Sequence, residues 1–144
     1  MKTSEFISHL DEAQVVAEIA KAEAATSGEI RVFVSSRNVE DPVQHAKRRF
    51  EKLGMTNTSL RNGVLLYFAP VSRKFAIVGD SGIHEKCGPN FWNELIGDIR
   101  PLLQAGQFTE AVTRAVRRAG EQLACHFPAQ HDDRNELTNE IAGD

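Results

Sequence analysis

The sequence predicts an α/β fold in which a small mixed β-sheet is flanked by helices. Helical and strand-like patterns follow one another in the order helix, strand, helix, strand, strand, helix, helix. A strand–helix–strand unit is parallel and right-handed, so the first two strands run the same way. The loop PVSRK is short enough to make the next strand antiparallel. A chain of 144 residues fits one domain with one core.

The first half of the chain contains two helical and two strand patterns. Apolar residues recur at helical spacing through residues 7–26, and the pair SG ends this helix. The stretch EIRVFVSS alternates as a strand does. Asp41 and Pro42 begin the next helix as cap and first residue. The run GVLLYFA is apolar almost throughout, which indicates a strand buried on both faces.

The second half returns from the PVSRK turn with the strand FAIVGD and then becomes helical. A short helical turn is predicted from Ser81 to Cys87, and a longer helix begins at Pro89. Pro101 is expected to kink that helix or to split off its last turn. A last helix is predicted over residues 108–127. We expect one domain over residues 1–144, with residues 128–144 as a partly docked tail.

Composition excludes several classes of function. The net charge is −3 and no block of Lys and Arg occurs, so neither nucleic acid nor an anionic membrane surface is an expected partner. The N-terminal stretch carries acidic residues and no long apolar run, which argues against a signal peptide and against membrane insertion. Two cysteines are too few for a disulfide framework. We therefore expect a cytoplasmic monomer whose partners, if it has any, are other proteins.

Three polar turns are predicted to meet at one edge of the sheet. The third strand is antiparallel, so its C-terminal end lies beside the N-terminal ends of the first two strands. The turns SGE, RNG and GDSG stand at these three ends. We call their residues, 27–29, 61–63 and 79–82, the rim. This convergence makes the rim the candidate functional site.

The residue types of the rim suit a hard cation. Glu29 and Asp80 supply carboxylates and Asn62 supplies an amide oxygen. Oxygen ligands on flexible loops favour Ca²⁺ or Mg²⁺ over zinc. In a purely structural alternative, Asp80 caps the following turn, Glu29 pairs with Arg61, and Asn62 merely makes a turn. Both interpretations stay open at this point.

A second candidate chemistry is phosphoryl transfer. Asp80 would act as metal ligand or nucleophile, with Ser81 and Arg61 holding the phosphate. No Walker loop, Asp-x-Asp pair or Cys-x5-Arg loop supports it. A serine-protease interpretation of GDSGI lacks a fitting His and carboxylate, and His84 with Cys87 gives only two metal ligands. The acidic tail residues Asp132, Asp133 and Glu136 are expected to be solvated or to fold back onto the body.

Several separated segments resemble one known family. TSGEIRVFV, RNGVLLYFAPVSRKFAIVGDSGIHEKCGPNFWNELIGDI and HFPAQHDDRNELTNEI occur in the order seen in the TPM domain family. The family is named after a thylakoid-lumen protein, a photosystem II repair protein and a modulator of acetylcholine receptors. The resemblance extends from about Ile7 to Ile141 and is greatest to short bacterial members without an anchor.

This resemblance implies a three-layer α/β/α sandwich with a small mixed central sheet, in agreement with the pattern of elements. It also implies calcium binding and, from plant relatives, an acid phosphatase activity. The acidic positions near the strand ends of the family correspond here to Asp80 and Glu29. Our expectation is a Ca²⁺ or Mg²⁺ site formed by Asp80, Glu29 and Asn62. The alternatives are a metal-assisted phosphatase and a non-catalytic protein-interaction module.

Overall fold

A four-stranded mixed sheet forms the centre of the molecule. The structure is a computed structural model that describes residues 1–129 and 139–144. The strands lie in the order β3–β2–β1–β4; β1 pairs in parallel with β2 and β4, and β2 pairs antiparallel with β3. Their bounds are Glu29–Val34 (β1), Gly63–Ala69 (β2), Lys74–Gly79 (β3) and Ala142–Gly143 (β4). The predicted parallel unit and hairpin are both confirmed.

Helices cover both faces of this sheet. One face packs against α3 and a buried cluster that includes Phe33, Phe50 and Tyr67. The other face carries the larger core, to which the remaining helices contribute. The helices are α1 (Thr3–Ser8), α2 (Glu12–Ala24), α3 (Pro42–Lys52), α4 (Ser81–Cys87), α5 (Pro89–Gln104) and α6 (Phe108–His126). The three-layer α/β/α sandwich predicted from the sequence is confirmed.

The first and fifth helices differ in detail from the sequence pattern. The first helical pattern is interrupted between α1 and α2, where the Asp11 carboxylate accepts a hydrogen bond from the Gln14 amide at 3.1 Å and caps the second helix. Pro101 does not split α5, which continues to Gln104. The residues after Pro101, Leu102 and Leu103, pack against the core, and this burial offsets the backbone hydrogen bond that proline removes.

The fourth strand was not predicted. It contains only Ala142 and Gly143, which pair with Phe33 and Val34 of β1. A two-residue strand carries no alternating pattern, and its pairing depends on the free edge of β1. Ile141 packs against the larger core, as the sequence suggested. The other tail residues singled out above, Asp132, Asp133 and Glu136, lie outside the described residues.

Asp144 holds the end of this strand in place. Its carboxylate accepts hydrogen bonds from the Ser35 hydroxyl, the Ser36 amide and the Ser36 hydroxyl, each at 2.7 Å. Burial acts to raise the Asp144 pKa, but these hydrogen bonds and the charge of Arg49 outweigh it and lower the pKa. No helix within residues 1–129 and 139–144 is long and apolar enough to cross a membrane.

Candidate functional site

Backbone hydrogen bonds bring the three polar turns of the rim together. The Glu29 amide donates to the Asn62 carbonyl at 3.4 Å, and the Asp80 amide donates to the Gly63 carbonyl at 2.9 Å. Both contacts follow from the sheet register, in which Glu29 lies opposite Gly63 and Val64 lies opposite Gly79. The structure therefore places the predicted site residues at one edge of the sheet, as strand direction requires.

Asp80 is engaged by two partners. The Arg61 guanidinium donates to it through two parallel bonds, Nε to Oδ2 at 2.7 Å and a terminal nitrogen to Oδ1 at 2.8 Å. The Ser81 amide donates to Oδ1 at 2.7 Å and begins α4. The Asp80 residue is only 6% exposed, and hydrogen bonding to its carboxylate raises the pKa of Arg61. The expected cap is present, whereas Arg61 pairs with Asp80 and not with Glu29 in any ion pair of the described residues.

Close backbone contact keeps α4 against the turn that carries Arg61. The Gly82 amide donates to the Arg61 carbonyl at 2.8 Å. A Cβ atom at Gly82 would lie 2.2 Å from the carbonyl oxygen of Leu60 and 2.6 Å from that of Arg61. Arg61 itself has a left-handed φ of 51°. Glycine is therefore required at position 82 because any side chain would push the two segments apart.

Glu29 forms a carboxyl pair with Glu23, a residue that the sequence did not single out. Glu29 is 2% exposed at the start of β1, and Glu23 lies near the end of α2. Glu23 Oε2 accepts a hydrogen bond from the Ile30 amide at 2.8 Å, and its side chain is hydrogen-bonded to Glu29. Burial raises the pKa of Glu23 to about 8, and the charge of Glu29 adds to this rise against the Ile30 hydrogen bond. At neutral pH the pair therefore holds a proton.

Asn62, like Glu29, is a buried polar residue of the rim. It is 1% exposed, and its Nδ2 donates to the Ser27 hydroxyl at 3.4 Å. Its side-chain Oδ1 has no hydrogen-bond partner within residues 1–129 and 139–144. A buried amide oxygen without a partner is costly, by about 1–3 kcal/mol. Asn62 Oδ1 would therefore be stabilised by a hydrogen-bond donor or a positive charge.

The other residues singled out from the sequence lie on α4 and give little support for a metal or catalytic site. Ser81 and His84 are exposed on α4, and the Cys87 thiol donates to Gln122 Oε1 at 3.4 Å. Burial raises the pKa of the Cys87 thiol, which disfavours the reactive thiolate. Across the described part of the chain, no group of three His, Cys, Asp or Glu residues could hold a metal ion. A cation at the rim would thus have two carboxylates and an amide oxygen, with further oxygens from backbone or water.

Comparison with known proteins decides the family. The profile of the TPM domain matches residues 1–122. The chain belongs to the TPM domain family. The NMR structure of the BA42 protein from the psychrophilic bacterium Bizionia argentinensis is 37% identical to this TPM domain, with a TM-score of 0.85 over 92% of each chain. The resemblance stated from the sequence is confirmed.

A more distant solved structure has the same fold. It is the solution structure of the N-terminal domain of a protein from P. gingivalis, which is 19% identical with a TM-score of 0.62. The match covers 80% of this TPM domain and 76% of that chain. At this identity the comparison supports the fold alone. No curated protein matches this TPM domain.

Proposed function

We propose that this TPM domain binds a divalent cation, Ca²⁺ or Mg²⁺, at the rim. The observation that carries the proposal is the carboxyl pair formed by half-buried Glu23 and buried Glu29, in which burial and the charge of Glu29 raise the pKa of Glu23 to about 8. A divalent cation would take the place of the proton that this pair holds and neutralise both carboxylates. The Asn62 side chain, with its unpartnered Oδ1, would add an amide oxygen. Carboxylate and amide oxygens are typical ligands of Ca²⁺ and Mg²⁺.

Glu23 replaces Asp80 as the second carboxylate in this proposal. Both oxygens of Asp80 accept hydrogen bonds from Arg61, and one accepts a further bond from Ser81. A cation next to Asp80 would also lie close to the positive Arg61 guanidinium and would be repelled by it. We therefore assign Asp80 the role of capping α4 and holding Arg61, and we assign cation binding to Glu23, Glu29 and Asn62.

The same contacts argue against Asp80 as a catalytic nucleophile. A carboxylate with a guanidinium on both oxygens is a weak nucleophile, because its lone pairs are already engaged. The phosphatase alternative predicts that Asp80→Ala loses p-nitrophenyl phosphate hydrolysis while it stays folded. We expect the wild type and the variant to show the same background rate.

Calorimetric titration with CaCl₂ and MgCl₂ tests the cation site. With only two carboxylates, we expect a dissociation constant of about 0.1–1 mM. Because the pair holds a proton near neutral pH, binding should release about one proton per ion, measured in buffers of different ionisation enthalpy. In amide NMR spectra, the shifts should be centred on Glu23, Glu29 and Asn62.

Matched variants distinguish the proposed ligands from their neighbours. Glu29→Gln and Glu23→Gln should each weaken calcium binding by at least about tenfold, which equals 1.4 kcal/mol. Asp80→Asn keeps a capping side chain and should leave the affinity for calcium unchanged. If Asp80→Asn abolishes binding and Glu23→Gln does not, the original set of Asp80, Glu29 and Asn62 is correct. If millimolar calcium shifts no amide at the rim, the proposed function is wrong.

A further inference from the structure

A cavity of about 440 Å³ lies at the end of the sheet opposite the rim. The C-terminal end of β2 and the N-terminal end of β3 border it, together with α1, the end of α5 and the start of α6. Strand β2 has seven residues, so the cavity and the rim are separated by roughly 20 Å. Its volume falls within the range of about 300–1,000 Å³ that is typical of small-molecule sites.

Four phenylalanines form one wall of the cavity. Phe6 packs against Phe108 and Phe68, with ring centroids 4.8 and 5.8 Å apart, and Phe68 packs against Phe75 at 6.3 Å. Phe6, Phe68 and Phe108 are buried, whereas Phe75 is half-buried. The three buried rings leave little surface open, so the apolar surface of this wall comes mainly from half-buried Phe75 and can make dispersion contacts with an apolar body.

The charged side chains that line the cavity are all cationic. They are Arg73, Lys74 and Arg100, and no Asp or Glu belongs to the described lining. The Lys74 ammonium donates to the Glu40 carbonyl at 2.7 Å, and the Arg100 guanidinium lies 5.2 Å from the centre of the Phe75 ring. Neither Arg73 nor Arg100 forms an ion pair with any carboxylate of residues 1–129 and 139–144. Their positive charge is left uncompensated at the mouth of an aromatic cavity.

From this arrangement we infer that the cavity is a second binding site, for a small organic carboxylate with an apolar body. The aromatic wall would take the body, and the guanidinium groups of Arg73 and Arg100 would take the carboxylate, whose planar geometry matches theirs. A free inorganic anion would leave the aromatic wall without a partner. A neutral apolar molecule would leave the two arginines uncompensated.

NMR titration with naphthoate and its neutral isostere naphthamide tests this inference. The two probes share an aromatic body and differ in charge, and octanoate with octanamide forms the corresponding aliphatic pair. We expect naphthoate to bind at least about tenfold more tightly than naphthamide. Amide shifts should be confined to the cavity, at residues 68–75 and 103–108. Tighter binding of octanoate than of naphthoate would indicate an aliphatic natural ligand, and the reverse order an aromatic one; either result supports the carboxylate site.

Single substitutions that change the charge of exposed side chains at the mouth of the cavity test the inference further. Arg73→Gln and Arg100→Gln should each weaken naphthoate binding about five- to tenfold, with little effect on naphthamide. Gln104→Glu introduces an opposite charge at the lining and should weaken naphthoate to a similar extent. Arg48→Gln changes an exposed arginine on α3, across the sheet, and should have no effect.

Two results would overturn the inference. One is equal affinity of naphthoate and naphthamide, and the other is a set of shifts outside the cavity. Because these titrations are run with EDTA and repeated with calcium, their outcome is independent of the cation site at the rim.

Discussion

Replacing Glu23 by glutamine should make the stability of the protein much less dependent on pH between about pH 5 and about pH 8. The pKa of Glu23 is about 8 in the folded protein against an ordinary value of 4.5. Between these values the folded state binds a proton that the unfolded chain has lost. The stabilising contribution is therefore fully present below pH 4.5, decreases as pH rises and is lost above about pH 8.

The size of this change in stability follows from the linkage between proton binding and folding. At 1.36 kcal/mol per pKa unit, a rise from 4.5 to about 8 corresponds to roughly 5 kcal/mol. Glu23 is only partly buried, so solvent screening reduces this value, and we expect the wild type to lose about 2–3 kcal/mol over the range. Glutamine has the size of protonated glutamate and can keep the hydrogen bond from the Ile30 amide. Glu23→Gln should therefore match the wild type near pH 5 and exceed its stability by about 2–3 kcal/mol above pH 8.

Urea denaturation at a series of pH values measures this effect. Glu51→Gln makes the same chemical change on an exposed face of α3 and should retain the slope of the wild type. Saturating calcium should stabilise the wild type near pH 8, because a bound cation replaces the proton, and should stabilise Glu23→Gln much less. If Glu23→Gln shows the same loss of stability with pH as the wild type, the assignment of the proton to this pair is wrong.

Three further sets of substitutions probe contacts elsewhere in the fold by urea denaturation. Asp80→Ala should cost about 0.5–2 kcal/mol through loss of the α4 cap, whereas Asp80→Asn should keep most of the cap; equal losses would contradict the capping role. Gly82→Ala should destabilise by about 3 kcal/mol because its Cβ would meet backbone oxygen, while Gly97→Ala, with open space around it, should stabilise by about 0.5–1 kcal/mol. Asp144→Asn should cost about 1 kcal/mol near neutral pH. The difference should decrease as pH falls below 3.8 and vanish below the lowered pKa of the folded state, where the wild-type carboxylate is protonated; a constant difference would show that the charge is unimportant.

The layout of the rim could be predicted from the sequence, but its side-chain pairs could not. Strand direction alone placed Glu29, Asn62 and Asp80 at one edge of the sheet. The structural alternative paired Arg61 with Glu29, but the Arg61 guanidinium lies against Asp80. Which carboxylate an arginine reaches depends on the twist of the sheet and on the backbone angles of the arginine. Neither property can be inferred from the local sequence.

The role of Glu23 could not be predicted from the sequence either. On a helix near its C-terminus, a glutamate followed by alanines looks like an ordinary solvated residue. Its role arises because α2 packs so that its last turn meets the first residues of β1. The cavity at the opposite end of the sheet was missed for a similar reason, because its aromatic and cationic residues come from four separate parts of the chain.

The sequence by itself determined the order of the main helices and strands, the direction of the first three strands and the family. These properties depend on periodicity and turn chemistry within short segments, which local residues encode directly. Only the tertiary structure decided the Glu23–Glu29 and Arg61–Asp80 pairs, the fourth strand and the four-phenylalanine cavity. Each of these requires residues that are distant along the chain to meet, and their separation is set by the packing of whole layers and not by any local pattern.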